Sequence, residues 1–149
     1  MPASSVTPPA ATPPAPDGRC VAGALRRATR AITRHYDEHL AASGLTIARY
    51  SLLSTLAALG EPTLGALGRD LAMERTTLLR NLKPLVDDGL VAVAPARAGR
   101  ANVARLTARG AKALERARPY WRAAQQSLSE RVDREGVERV LAVAAALNA

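Results

Sequence analysis

The sequence predicts a mainly α-helical fold interrupted once by a small β-hairpin. Three observations carry this. Apolar residues return every three or four positions over most of the chain beyond Arg19, the period of a helix with one buried face. Between Leu90 and Leu106 the pattern changes to two short β-type runs around a turn-rich stretch. Capping residues and glycines stand where one pattern gives way to the next.

The first stretch is an exception. Pro2, Pro8, Pro9, Pro13, Pro14 and Pro16 stand among Ala, Ser and Thr, with no Leu, Ile or aromatic residue. Such a segment buries too little surface to offset its ordering entropy, so residues 1–18 are expected to form a disordered tail. Residues 19–149 are then one domain.

From Arg19 a first helix carries Val21, Leu25, Ala28, Ile32, Tyr36 and Leu40 as one stripe, with Arg26, Arg27, Arg30 and Arg34 on its other faces. Ser43 and Gly44 end it. Thr46 caps a second helix bearing Ile47, Tyr50, Leu53, Leu56 and Leu59, which Gly60-Glu61-Pro62 breaks. Thr63 caps a short third helix reaching Leu71, weakened by Gly65 and Gly68 by roughly 1 kcal/mol each. A fourth runs from about Glu74 to Asp88 and stops at Gly89. Asp87 and Asp88 stand at the helix end whose dipole disfavours them.

Leu90–Ala94 and Val103–Leu106 read as hairpin strands, with residues 95–102 as a long tip. Thr107 caps a long helix over Ala108–Arg131. Its Leu114, Trp121 and Leu128 are seven apart, like a coiled-coil seam, and Pro119 should kink it. Asp133 caps a last helix with Val137, Val140, Leu141, Ala144 and Leu147 along one side.

Composition bounds the function. A chain of 149 residues suits one domain. It contains no apolar run long enough to span a membrane, and no charged segment leads into an apolar one as in a secretory signal. Cys20 is the single cysteine, which suits a reducing cytoplasm. The net charge is +8, and of 21 basic residues only Lys83 and Lys112 are lysine. Excess positive charge favours polyanions, and the arginine fork matches phosphate oxygens and guanine edges. A GC-rich genome also enriches Ala and Arg, so composition alone decides little.

The third helix, the turn Ala72-Met73 and the fourth helix form a helix-turn-helix, whose second helix can enter a DNA major groove. Leu78, Leu82 and Leu85 point to the core; Thr76, Thr77, Arg80 and Lys83 point away, and Arg75 starts the helix. Taken alone, this is also what any solvated helix face looks like. The hairpin supplies the second feature: Arg97, Arg100, Arg105 and Arg109 occur with no acidic residue between them. A basic hairpin after a recognition helix can lie along the minor groove as a wing, drawn by its negative potential.

The ordered set resembles the MarR family of bacterial winged helix-turn-helix regulators. The resemblance is carried by Gly44-Leu45-Thr46, Thr63-Leu64, Arg75-Thr76-Thr77-Leu78 with Leu82 and Leu85, Gly89-Leu90-Val91, and Leu106-Thr107 with Gly110, and it covers residues 20–147. It implies a winged helix-turn-helix over about 46–107 and dimerisation helices over about 19–42 and 108–148. The implied function is sequence-specific binding of double-stranded DNA at a palindromic operator by a homodimeric, cytoplasmic repressor. Release by a small aromatic ligand or an oxidant would follow. The wing tip of the family carries an Asp-x-Arg pair; Arg100 falls at its Arg position and Ala98 at its Asp position, so the orienting carboxylate is missing. Arg49 replaces a common Gln, and Pro84 lies inside the recognition helix.

Cys20, beside Arg19 at a helix start, is a candidate redox switch, as in the organic-hydroperoxide sensors of the family; an inert small apolar residue is the plainer reading. Tyr36, His39 and Tyr50 are candidate lining residues of an effector pocket. His35 and His39 lie four apart on one face, yet the pattern lacks a metalloprotease Glu after the first His, and ordinary histidines are expected with no metal or cofactor. No phosphate-binding glycine loop and no nucleophile elbow occur, so an enzyme is not expected. The alternative is a basic helical protein-interaction module without sequence-specific DNA binding.

Overall fold

The computed structural model describes residues 20–96, 99 and 101–148. The expected tail over residues 1–18 lies outside them. The chain divides into two units, Met1–Thr33 and Arg34–Ala149, and the division falls inside the first helix.

Among the described residues of the first unit, Val21 onwards is helical and mainly exposed, with Val21 and Leu25 open to solvent. Cys20 precedes the helix and is exposed; its carbonyl accepts from Ala24 N at 3.0 Å.

The second unit holds the end of α1 (Val21–Leu40), a 3-10 turn (Ala41–Ser43), α2 (Ile47–Leu59), α3 (Leu64–Asp70), α4 (Arg75–Asp87), β1 (Val91–Pro95), β2 (Asn102–Leu106), α5 (Ala108–Arg131) and α6 (Arg134–Leu147). Four predicted caps form. Thr46, Thr63, Thr107 and Asp133 accept from the backbone N–H of Arg49, Ala66, Gly110 and Gly136, each satisfying an orphan donor of its helix. Asp37 caps too, from outside: its Oδ1 accepts from Ile47 N at 2.7 Å and ties α1 to the start of α2.

The core is leucine. Leu40, Leu52, Leu53, Leu56, Leu67, Leu78 and Leu85 are fully buried, joined by Leu82, Leu90, Val91, Ala104, Leu114 and Ala117. Burying each such side chain is worth about 1.5–3 kcal/mol. The predicted seam of α5 is therefore partly internal: Leu114 is buried, while Trp121 stacks on Tyr50 with ring centroids 5.6 Å apart. Leu128 is half-buried. Pro119 sits inside α5 and the helix continues past it.

The hairpin is antiparallel, with Val91 opposite Leu106 and Pro95 opposite Asn102. It starts one residue later than expected. Gly89, at φ +70°, donates to Val86 O, and Leu90 N donates to Leu85 O at 2.8 Å. This pair of bonds is a Schellman cap, which occupies Leu90 in ending α4. The tip is also shorter than expected, closed by Ala96 N donating to Ala101 O at 2.8 Å. β2 is held against the connection between α2 and α3: Ala104 N donates to Pro62 O, and Thr63 bridges to Val103.

One glycine is demanded by packing. A Cβ on Gly110 would stand 2.0 Å from Leu90 O, so only glycine lets α5 approach the start of the hairpin. Thr107 fixes the same junction, its hydroxyl donating to Gly89 O at 2.7 Å and its N–H to Leu90 O at 3.1 Å. Among the described residues no helix is long and apolar enough to cross a membrane.

Candidate nucleic-acid interface

The turn between α3 and α4 sets the direction of α4. Ala72 takes a left-handed backbone, φ +49°, which costs a non-glycine residue roughly 1–2 kcal/mol. The bonds around it hold that geometry: Leu71 N to Leu67 O, Ala72 N to Arg69 O, and Met73 N to Gly68 O at 2.8 Å. Asn81, one and a half turns into α4, reaches back with its Nδ2 3.6 Å from Met73 Sδ. The sequence pattern did not single out Asn81, because a side chain facing a turn leaves no periodic signal.

Leu78, Leu82 and Leu85 anchor α4 inward, all buried. The opposite side is open: Arg75, Thr76, Arg80 and Lys83 are exposed and Thr77 is half-buried. Thr76, Leu79, Arg80 and Lys83 fall at three- and four-residue steps and so share one face. Leu79 is 42% exposed there and was also missed, since the leucine periodicity assigns leucines to the core. The two unexplained aspartates have partners. Asp87 accepts from Lys83 at 2.7 Å, one turn apart on the same helix. Asp88 pairs with Arg49 of α2 at 3.3 Å, a link between elements distant in sequence. Lys83 is thereby ion-paired on the surface, whereas Arg75 and Arg80 have no acidic partner among the described residues. Pro84 lies within α4 without ending it; its carbonyl accepts from Asp88 N at 2.9 Å.

Arg105 projects from β2 opposite Ala92 and is exposed. Arg109 is exposed in the first turn of α5. Arg97, Ala98 and Arg100 lie outside the described residues.

The other candidate residues are placed differently. Tyr36 and Tyr50 are buried in packing, at 7% and 5% exposure. Tyr36 donates to Gln125 Oε1 at 2.7 Å. Burial pushes both phenols above their ordinary value of 10.0. His35 is buried, its Nε2–H donating to Ala124 O at 2.9 Å, and His39 Nδ1–H donates to His35 O at 2.8 Å. The two imidazole rings are 4.5 Å apart. One nitrogen of each is thus held by a backbone carbonyl. Among the described residues, the openings beside Arg49 and Lys112, beside Gly68 and Arg75, and beside Glu61 and Arg105 are not lined by Tyr36, His39 or Tyr50.

A helix-turn-helix followed by an antiparallel hairpin, with the outer face of its second helix rich in donors, is a winged helix-turn-helix. Solved structures share it. MosR, a transcriptional regulator of M. tuberculosis solved in complex with DNA, is 35% identical, with a TM-score of 0.78 over 87% of this chain and 94% of that one. BpsR of Bordetella bronchiseptica is 21% identical, with a TM-score of 0.77 over 91% and 97%. A mutant MarR of E. coli complexed with operator DNA is 19% identical, with a TM-score of 0.76 over 85% and 92%. The last two show the fold; the likeness to MosR reaches the sequence. No protein-family profile and no curated protein sequence matches this chain. The chain belongs to the MarR family of transcription regulators, a family of regulators rather than enzymes.

Proposed function

We propose that this regulator binds double-stranded DNA as a homodimer, laying α4 in the major groove and the hairpin along the minor groove. The observation that carries the reading is the outer face of α4. Arg75, Thr76 and Arg80 are exposed on a helix locked from behind by three buried leucines. Arg80 can fork onto guanine, and Thr76, Thr77 and the exposed Leu79 can meet thymine methyls. Lys83 sits farther along and suits a phosphate once it leaves Asp87. Arg105 would contribute to the wing, and Arg97 and Arg100, close to it in the sequence, are the candidate arginines for the same groove. MosR and MarR were both solved with DNA, which supports the same partner here.

Dimerisation is supported by α6, whose Val140, Leu141, Val143 and Leu147 are all exposed. Such a strip is unusual for a lone soluble chain. With α5 spanning roughly 36 Å, paired subunits can set two recognition helices about one duplex turn apart, roughly 34 Å, on a palindrome.

Repression, relieved by a small aromatic ligand or an oxidant, completes the reading. BpsR has its DNA binding regulated by 6-hydroxynicotinic acid, and MarR has an oxidised form. For this chain Cys20, exposed, is the oxidisable group, and Tyr36, His39 and Tyr50 are the candidate effector contacts. With those tyrosines buried, a ligand would need them to part.

Selection of bound duplexes from a random pool tests the proposal. The expected result is a palindromic sequence bound with a log–log salt slope near −5, for about six phosphate contacts. A flat salt response with no enriched sequence would favour a basic module that meets acidic proteins instead.

A further inference from the structure

A second basic site lies apart from α4's outer face. A cavity of about 480 Å³ is lined by Leu45, Arg49, Asp88, Leu90 and the α5 residues Arg109, Lys112, Ala113 and Arg116. Its size is that of a small-molecule site. Four cations border it against a single carboxylate, and Arg49 is the only one of the four with an acidic partner among the described residues. Leu45, Leu90 and Ala113 are buried and line its apolar side.

The cations are badly placed for stability. Arg109, Lys112 and Arg116 follow at three- and four-residue steps, so like charges face one another along α5. Arg49 and Arg109 lie in the first turns of α2 and α5, where the helix dipole already presents positive charge and where neither helix has an acidic residue. Local choices that oppose stability, gathered around one cavity, point to a ligand that relieves them.

We propose that this cavity binds a small molecule carrying a diphosphate group. One carboxylate would leave most of the positive charge uncompensated; two linked phosphates match it, and the three arginines offer planar forks to their oxygens. The bound anion competes with Asp88 for Arg49. The site involves no residue of α4's outer face and does not depend on the DNA-binding reading.

Inorganic pyrophosphate titrated calorimetrically into the full chain at constant ionic strength is the test. Saturable binding of one pyrophosphate per chain is expected. Lys112→Gln with Arg116→Gln should weaken it at least about tenfold, each lost partner removing a charge-assisted bond. Arg109→Gln alone, the milder variant, should weaken it several-fold. Arg80→Ala, on the α4 face, should leave it unchanged. Circular dichroism establishes that each variant is folded. Absence of saturable binding overturns the proposal, as do pocket variants that bind like the native chain or a loss on Arg80→Ala.

Discussion

Helices α4 and α6 are 13 and 14 residues long, both amphipathic, and they meet opposite fates. α4 buries Leu78, Leu82 and Leu85 and exposes a polar face; α6 buries nothing. The difference lies in neighbours. α3, β1 and α2 surround α4, while among the described residues of the second unit no comparable set of elements encloses α6. An apolar stripe specifies a helix but not its partner. Where the chain supplies the partner, the polar face is free for a ligand; where it does not, the apolar face asks for a second subunit.

The largest effect that sharpens this contrast is on stability. Leu82→Ala should cost about 2–5 kcal/mol in chemical denaturation, because Leu82 is 2% exposed and its truncation loses burial and leaves a void. Leu141 is 63% exposed, so Leu141→Arg should leave subunit folding nearly intact and abolish the proposed dimerisation in sedimentation experiments. A Leu141→Arg chain that remains dimeric would break the comparison.

Next in size is the α4–hairpin–α5 junction. Thr107→Ala removes the cap of α5 and the hydroxyl's bond to Gly89 O just past the end of α4, and should lower stability by about 1–2 kcal/mol. Thr46→Ala, which removes a cap alone, should cost less, about 0.5–1 kcal/mol.

The smallest effect is electrostatic. Tyr36 and Tyr50 hold their protons more tightly folded than unfolded, because burial disfavours the phenolate. The folded state therefore binds more protons as pH climbs past 10.0, and stability should be full below that value and fall above it. Tyr36→Phe should flatten the decline in a pH series of denaturation midpoints.

Much of this was legible in the sequence because it is local. Thr46, Thr63, Thr107 and Asp133 each mark a helix start by a bond to a donor three residues on. The core leucines of α4 follow from their spacing. Contacts across the chain left less signal. The start of β1 at Val91 depends on Leu90 joining the cap of α4. Asp88 finds Arg49, 39 residues away, and the cavity bordered by Arg49, Arg109, Lys112 and Arg116 exists only because α2 and α5 are brought together. Lys83 and Asp87, four apart, were readable as a pair, and that pairing tempers the role the sequence suggested for Lys83.

The most direct test of the central claim compares Arg80→Ala with the native chain on the selected palindrome and on a scrambled duplex of equal length. A loss of about 1–3 kcal/mol is expected on the palindrome and a much smaller one on the scrambled duplex, since a base contact is lost. Equal losses on both duplexes, or none, would contradict the claim that the exposed face of α4 reads sequence.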